Sequence, residues 1–396
     1  MQPLLSNRVQ RIRPSPTLSV AARAATLKAE GRDIISLGAG EPDFDTPDHI
    51  KKAAIRAIEQ GFTKYTAVDG IPSLKRAIVD KFSRENQLEY TPRQVLVSVG
   101  GKQSFFNLAQ AFLNTGDEVI IPAPYWVSYP DMVLLADGIP VIVATGIEQG
   151  FKILPEQLER AITPRTRLFV LNSPSNPTGA AYTKSELAAL GEVLARYPNV
   201  LTASDDMYEH IRWGKEPFCN ILNACPNLYD QVIVLNGVSK AYSMTGWRIG
   251  YCAGPVFLIE AMTNIQSQST SNPTSIAQVA AQAALEGGLS CVQPMIEAFQ
   301  QRHEYLIGAL NQIRGVHCLP GEGAFYAFPN LQEAMTSLPD IKNDVALCEY
   351  LIERVGLAVV PGSAFGAPGY VRLSFATSLP ILRSAVDRLA SAFSDQ

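Results

Sequence analysis

Short apolar runs alternate with amphipathic stretches through the central part of the chain. The runs predict seven β-strands, at residues 94–99, 118–121, 141–143, 167–171, 200–203, 231–235 and 249–253. Helical patterns lie between several of them, as over residues 102–113 and 185–196, and a Thr183-x-x-Glu186 capping box opens the second of these helices. This alternation predicts an α/β domain with a mainly parallel sheet.

The pattern changes near Cys291, where a long helical segment begins. Shorter mixed strands and helices follow it, in VHCLPGEGAFYAF, ALCEYLIERVG, LAVVPGSAFG and YVRLSFA. We therefore predict two domains. The large one spans residues 48–290, and residues 291–396 form a smaller α/β domain together with an N-terminal arm over residues 1–47.

Composition and charge narrow the class of protein. The 396 residues are 47% hydrophobic and 18% charged, which is typical of a globular chain with a large core. The net charge of −4 gives no broad basic surface for nucleic acid or an anionic membrane. The six cysteines form no CxxC pair or His/Cys cluster, so we expect reduced thiols and no metal site. The N-terminus has no apolar targeting segment, and we expect a cytoplasmic protein.

Chemically unusual residues follow the predicted strands, where ligands bind in open parallel α/β sheets. Gly100-Gly101-Lys102 follows the first strand and opens a helix. It is either an ordinary strand-to-helix turn or a phosphate site, because a helix N-terminus presents oriented N–H groups. Trp126 follows the second strand, where it can stack on a planar ring or belong to the core.

Three later loops add to this set. Asn176, in NSPSNPTG, is a turn residue or a ligand amide, and the Asp205-Asp206 pair can cap a helix or face a basic ring nitrogen. Lys240 lies in NGVSKAYSMTGWRIGYCAG, with Arg248 eight positions later. A lysine for a Schiff base, an acid, an aromatic face and an arginine beside a glycine-rich helix start are together what pyridoxal phosphate requires.

The chain resembles the fold-type I, class I pyridoxal-phosphate-dependent aminotransferases along nearly its whole length. The resemblance lies in SLGAGEPDFDTP, TKYTAVDGIPSL, SVGGKQSFFNL, PAPYWVSYP, NSPSNPTGA, SDDMYEHI, SKAYSMTGWRIGY and VRLSFA. Within the family it is most similar to the bacterial aspartate aminotransferase subgroup that includes prephenate transaminases. It implies a large domain with a mainly parallel seven-stranded sheet, a smaller α/β domain, and transfer of an amino group between an L-amino acid and a 2-oxo acid.

The resemblance also implies roles for residues at the cofactor ring. Lys240 would form the Schiff base and then move a proton as general acid and base. Asp205 would pair with the ring nitrogen; Asp206 is the competing candidate, but the DxxY spacing to Tyr208 favours Asp205. Tyr208 and Asn176 would bind the ring oxygen, and Trp126 would pack on the ring face.

A second set of roles concerns the cofactor phosphate. Arg248 would be buried against it, with Gly101, Lys102 and Ser239 completing the site. Many relatives have a serine three residues before the lysine, where this chain has Gly237, so that hydroxyl contact is in doubt. Tyr65 resembles a tyrosine that reaches the phosphate of the neighbouring subunit, which implies a homodimer; a structural loop tyrosine is the alternative.

For the substrate, the resemblance assigns Arg372 to the α-carboxylate, with the backbone of Gly40 and the side chains of Trp126 and Asn176 beside it. Arg13, just before Pro14-Ser15, would lie near the far end of the substrate and favour dicarboxylic acids such as aspartate and glutamate. The alternative for Arg13 is a solvated N-terminal arm. An alanine or aromatic aminotransferase and a pyridoxal-phosphate-dependent carbon–sulfur lyase remain open, as do the preferred donor and acceptor and the use of prephenate.

Overall fold

The computed structural model describes residues 5–394, and its centre is a seven-stranded sheet with strand order β2-β8-β7-β6-β5-β3-β4. Neighbouring strands run parallel except β8, which is antiparallel to both β2 and β7. The twelve strands of the described residues are β1 Ile35–Ser36, β2 Val95–Ser98, β3 Glu118–Ala123, β4 Ile139–Ala144, β5 Thr166–Asn172, β6 Leu201–Asp205, β7 Val232–Gly237, β8 Gly250–Ala253, β9 Tyr326–Ala327, β10 Leu357–Ala358, β11 Val360–Pro361 and β12 Val371–Ser374.

Helices cover both faces of this sheet. Alternate residues of its strands enter two separate cores: Val95 and Val97 belong to one, and Leu96, between them, belongs to the other. The α-helices are α1 Asn7–Arg11, α2 Pro16–Ala29, α3 Asp48–Glu59, α4 Pro72–Lys81, α5 Gly101–Phe112, α6 Ser128–Leu135, α7 Pro155–Ala161, α8 Lys184–Leu194, α9 Ile221–Ala224, α10 Val256–Ser267, α11 Ser275–Glu286, α12 Gln293–Leu310, α13 Gln332–Met335, α14 Asp344–Arg354 and α15 Leu379–Ser394.

Two small sheets contain the remaining strands. β1 pairs in parallel with β10, which joins the N-terminal segment to the C-terminal part of the chain. β11, β12 and β9 form a three-stranded antiparallel sheet in that order. The pairing of β1 with β10 agrees with the predicted small domain, although its boundaries stay a prediction.

The seven predicted strands are confirmed, with ends that differ by at most two residues. The largest difference at a strand start is in β4, which begins at Ile139 rather than residue 141. This strand lies at the sheet edge, where Pro140 removes no ladder donor that a neighbouring strand needs. The capping box of α8 is also confirmed, because Glu186 N–H donates to Thr183 Oγ1 at 3.2 Å and Thr183 N–H donates to Glu186 Oε2 at 2.8 Å.

Two further observations concern the described residues. None of the helices within residues 5–394 combines the length and the apolar character that crossing a membrane requires. All six cysteines are free thiols: Cys219, Cys225, Cys252, Cys291, Cys318 and Cys348.

Candidate active site

Lys240 lies in the loop that follows β7, at the carboxyl edge of the large sheet. Its side chain is partly buried, and Nζ donates a hydrogen bond to the carbonyl oxygen of Gly40 at 2.5 Å. Burial and the nearby charge of the Arg372 guanidinium together lower the pKa of Lys240 to about 8, against the opposing effect of Glu41. The amine therefore loses its proton much closer to neutral pH than an ordinary lysine does.

Asp205 ends the neighbouring strand β6 and is held by two donors. The Tyr129 hydroxyl donates to its Oδ2 atom, and the backbone N–H of Met207 donates to its Oδ1 atom at 3.2 Å. Burial raises the pKa of Asp205 above its usual value, while the Tyr129 hydrogen bond opposes the rise. This carboxyl group is oriented, and a cationic partner would favour its charged form.

Asp206 is occupied by a different set of contacts. It is buried, and its carboxylate accepts from Ser204 Oγ at 2.7 Å and from Asn220 Nδ2 at 2.5 Å. The Asn220 side chain in turn caps α9, because Leu222 N–H donates to Asn220 Oδ1 at 2.8 Å. Asp206 thus fastens α9 to β6, which leaves Asp205 as the candidate for ring chemistry.

Arg372, on β12, is a buried guanidinium. Its Nη1 donates to Asn176 Oδ1 at 2.9 Å and its Nη2 donates to the Gly38 carbonyl at 2.7 Å, while Nε has no hydrogen-bond partner. Within residues 5–394 no carboxylate lies at ion-pair distance from it. Burial lowers its pKa, but an arginine stays charged. A buried cation without a carboxylate partner is suited to binding an anionic ligand.

Tyrosine and asparagine side chains connect these groups, and sequence reasoning missed several of them. Tyr208 Oη lies 2.8 Å from the hydroxyl of Tyr326, whose ring packs 4.5 Å from the Arg372 guanidinium. Asn172 accepts from Asn176 N–H at 2.9 Å and donates to the Asp205 carbonyl at 2.9 Å. Asn172 and Tyr129 lie within motifs recognised in the sequence, so inspection of those loops could have found them. Tyr326 carried no such signal.

Glycines and basic side chains meet where α5 begins. Gly100 adopts a φ of 82°, which favours glycine, and a Cβ on Gly250 would collide with the backbone N of Gly101, so the close approach at Gly250 requires glycine. Burial and the charge of Arg248 lower the pKa of Lys102. Neither Lys102 nor Arg248 pairs with a carboxylate in the described part of the chain, and the helix N-terminus adds positive potential.

The burial expected for Arg248 was wrong for the single chain. Its side chain is exposed, and the residue follows a short 3-10 turn, Thr245–Trp247, with a left-handed backbone at φ of 57°. Its Nη1 donates to the Thr245 carbonyl at 2.7 Å. Arg248 is therefore suited to binding an anion because of its neighbours, Lys102 and the start of α5, rather than because it is buried.

Two small residues before Lys240 also have clear environments. A Cβ on Gly237 would lie 3.1 Å from Gly250 Cα and 3.2 Å from the Ile249 carbonyl, so a serine there would require a shift of β8. Glycine, which has no Cβ, avoids this crowding. Ser239 is buried, and its carbonyl accepts from Met244 N–H at 3.0 Å.

The remaining candidates lie around this centre. Trp126 is partly buried and packs edge-on against Tyr129, with ring centroids 5.1 Å apart, and Lys102 Nζ lies 5.2 Å from its ring. Tyr65 is 92% exposed. Arg13 is exposed and makes no hydrogen bond or ion pair within residues 5–394, although its charge acts on Asp131 of α6. Within the single chain, neither Tyr65 nor Arg13 contacts Lys240.

The residues fit pyridoxal phosphate on the chemistry of the donor set. A primary amine with a lowered pKa and an oriented acid lie at neighbouring strand ends. Beside them the glycine-rich start of α5 faces two cations that lack carboxylate partners in the described chain. The second anion site, at Arg372, is separate and suits a carboxylate.

The protein-family model for aminotransferase class I and II matches residues 32–389, and the chain belongs to this family. It is 64% identical to the aspartate/prephenate aminotransferase of Nitrosomonas europaea over 98% of this chain and 100% of that protein. Identity to the enzyme of the same name from Cereibacter sphaeroides is 58%, over 97% of each chain. The structure of the Rhizobium meliloti aspartate aminotransferase superimposes with a TM-score of 0.95 at 48% identity, over 99% of both chains. The predicted family, fold class and aminotransferase activity are confirmed.

Proposed function

We propose that this aminotransferase uses pyridoxal phosphate and exchanges the amino group of aspartate or glutamate with 2-oxo acids. The observation that carries the proposal is the placement of Arg372. This buried guanidinium has no carboxylate partner in the described chain, and its charge acts on the Lys240 amine. An α-amino or 2-oxo acid held by its carboxylate at Arg372 would bring its α-carbon towards that amine.

The cofactor, when bound, supplies an electron sink for negative charge on the substrate α-carbon. Lys240 provides the amine that holds the cofactor, and Nζ then moves the proton that leaves the α-carbon. A pKa of about 8 suits both tasks, because an appreciable fraction of the amine is neutral near that pH. Asp205 holds a proton at the ring nitrogen, and Tyr129 orients its carboxylate.

Other side chains bind and orient the cofactor. We assign its phosphate to the backbone of Gly101 and to the side chains of Lys102, Ser239 and Arg248. Trp126 packs on the ring face. The ring oxygen is bound by Tyr208 and by Nδ2 of Asn176, an atom that makes no hydrogen bond within residues 5–394, while Oδ1 of the same amide is bound to Arg372.

The exposed Tyr65 supports a homodimer in which each site borrows this residue from the partner subunit. A phenol ring that is 92% exposed on a single chain is expected at an interface.

We also propose the domain boundaries at residues 47/48 and 290/291 and a cytoplasmic location.

Dicarboxylic substrates follow from a cation near the far end of the site. Arg13 is the candidate, with Lys102 as a second cation. The names of the Nitrosomonas and Cereibacter relatives support aspartate and prephenate as substrates. Prephenate is itself a dicarboxylate, so the same cation would serve both acids. Gly40 contributes its backbone beside the α-carboxylate.

A panel of half-reactions tests the proposal. The protein loaded with pyridoxal phosphate is mixed with aspartate, glutamate, alanine or phenylalanine, and the cofactor absorbance is followed to the amine form. Oxaloacetate, 2-oxoglutarate or prephenate is then added to restore the first spectrum. Fastest conversion by aspartate and glutamate supports the proposal. Preference for alanine or phenylalanine contradicts it, and release of a thiol from a cysteine thioether would indicate a lyase.

A further inference from the structure

A buried cluster of charged and amide side chains lies beside the active site and takes part in none of the contacts described above. Lys81 is fully buried, and its ammonium contacts the Glu209 carboxylate and lies 2.6 Å from Asn86 Oδ1. Asn86 Nδ2 donates to Glu209 Oε2 at 2.6 Å, and Asn236 Nδ2 donates to Glu209 Oε1 at 2.7 Å. The Glu209 carboxylate therefore accepts from three side chains on two segments of the chain, because Lys81 and Asn86 belong to one segment and Asn236 to β7.

The local helix geometry explains how one segment supplies so many of these groups. α4 ends at Lys81, and a π-helical turn, Phe82–Asn86, follows it directly. The wider turn places residues four and five positions apart on one side, so Glu85 and Asn86 face the same region as Lys81. Glu85 in turn lies 2.8 Å from Nε2 of His210.

This arrangement does not favour a metal ion. Glu85, Glu209 and His210 bring three potential ligand atoms together. However, the Lys81 ammonium contacts Glu209 and lies 3.9 Å from Glu85, so a fixed cation already occupies the space between the carboxylates. A second, divalent cation would be repelled from it.

We propose that Glu209 is a positioning residue that fixes the Lys240 loop against the segment that carries Asp205 and Tyr208. Glu209 directly follows Tyr208, so its own backbone belongs to the second segment. Its hydrogen bond to Asn236 reaches the first segment. Asn236 Oδ1 accepts from Gly237 N–H at 2.7 Å, at the end of β7 and three residues before Lys240.

The charge of Glu209 suits this role. Burial alone would favour the neutral acid, but the charges of Lys81 and His210 and the hydrogen bonds from Lys81 and Asn86 together outweigh burial and lower the pKa of Glu209 to about 2. A carboxylate that stays ionised is an acceptor for every donor that faces it, whereas a protonated acid would present a donor to one of them. The bond to Asn236 therefore persists across the pH range in which Lys240 titrates.

This inference rests on the proposed function of Lys240, but its first test does not use turnover. Backbone hydrogen exchange is measured for residues 205–210 and 236–248 of the cofactor-free protein in wild type and in Glu209→Gln. The matched control is Glu118→Gln. Glu118 is also a buried carboxylate paired with a cation, Arg165. It lies at the amino end of β3, whereas Lys240 follows the carboxyl end of β7.

We expect Glu209→Gln to accelerate exchange in both segments at least tenfold and to lower kcat at least tenfold, with KM changed less than threefold. Glu118→Gln should lower the melting temperature without either effect. If Glu209→Gln leaves exchange in the two segments or kcat unchanged, or if both variants change them equally at matched stability, the proposal is wrong. A wild-type protein without transaminase activity would instead overturn the proposed function, and the exchange comparison would still be decisive for the link.

Because removing one member of a buried ion pair can prevent folding, a second comparison avoids the charges. Asn236→Ala breaks the link and leaves Lys81 and Glu209 paired. Its control is Asn107→Ala, which removes a buried asparagine that donates to Gln266 at 2.9 Å between α5 and α10. Faster exchange over residues 236–248 and a lower kcat in Asn236→Ala alone support the proposal, and equal behaviour of the two variants contradicts it.

Discussion

Nη1 of Arg372 donates a hydrogen bond to Oδ1 of Asn176 at 2.9 Å, which joins β12 of the small sheet to the loop after β5 of the large sheet. The contact fixes the direction of the guanidinium and of the amide together. It also leaves Arg372 Nε without a partner and Asn176 Nδ2 unused within the described chain. Two donors therefore remain for ligands at one point between the two sheets.

Replacement of Arg372 by methionine should reduce activity without reducing stability. We expect kcat/KM for aspartate to fall about 100- to 10,000-fold, because two charged hydrogen bonds are worth about 3–6 kcal/mol. The free energy of unfolding should stay unchanged or rise, since the variant removes a buried cation that has no carboxylate partner in the described residues. Steady-state kinetics and urea unfolding measure the two effects.

Arg212→Met is the matched control for this variant. Arg212 is also largely buried, but it pairs with Glu322 at 3.2 Å. We expect it to lose stability and to keep kcat/KM within about threefold. If Arg372→Met retained activity, or lost it only in proportion to a loss of stability equal to that of the control, Arg372 would not bind the substrate carboxylate.

The sequence alone predicted the strands of the large sheet, because its buried strands are short apolar runs between recognisable turns. It also identified the residues that follow β2, β5, β6 and β7, since parallel strands bring their carboxyl ends to one edge. Lys240 and Asp205 were selected as candidates in this way. Their separation along the chain did not matter, because strand order alone makes them neighbours.

Other features depended on contacts that no local pattern encodes. Tyr326, on β9 of the three-stranded sheet, contacts Tyr208, which follows β6 of the large sheet. Lys81, the last residue of α4 before the π-helical turn, contacts Glu209. Arg248 is exposed and adopts a left-handed backbone after a 3-10 turn, and no sequence pattern predicts this conformation for an arginine. Such long-range pairs require the folded structure.

Arg13→Ala tests the choice of substrate. If Arg13 lies near the far carboxylate in the assembled enzyme, its removal should lower kcat/KM for aspartate about ten- to a hundredfold and leave alanine nearly unaffected. The ratio of aspartate to alanine activity is the measurement. An unchanged ratio would assign Arg13 to a solvated arm and transfer the role to another cation.

Mixing two inactive variants tests the shared site. Tyr65→Ala and Lys240→Ala should each be inactive or nearly so, yet exchange of subunits would create one site with both native residues. Partial recovery of activity on mixing is the expected result. A fully active monomer by light scattering, or no recovery after demonstrated exchange, would show that Tyr65 does not act across an interface.

His303 gives a prediction for acid stability. It is buried, its Nε2 accepts from Gly321 N–H at 3.0 Å, and burial lowers its pKa to about 4. As the pH falls, the unfolded chain, with a histidine pKa near 6.5, therefore takes up a proton at this residue before the folded chain does. The contribution of His303 to the free energy of unfolding is therefore present above pH 6.5 and is lost as the pH falls towards 4, with a loss of about 2 kcal/mol at pH 5.

Urea unfolding between pH 7 and 4 measures this loss. His303→Gln should flatten the slope between pH 6.5 and 4, because glutamine offers an acceptor that does not titrate. The control is His317→Gln, at a histidine whose side chain is 66% exposed, and its slope should match wild type. Equal slopes for wild type and His303→Gln would show that His303 does not cause the acid sensitivity.

Borohydride reduction followed by peptide mapping identifies the amine that holds the cofactor, which we propose is Lys240. The protein loaded with pyridoxal phosphate is reduced, digested and analysed by mass spectrometry, with Lys240→Ala as control. We expect the reduced cofactor to be attached to Lys240, and we expect Lys240→Ala to fold and bind cofactor but to have no turnover and no label. Label on Lys102 or Lys64 in the wild-type protein would contradict this proposal.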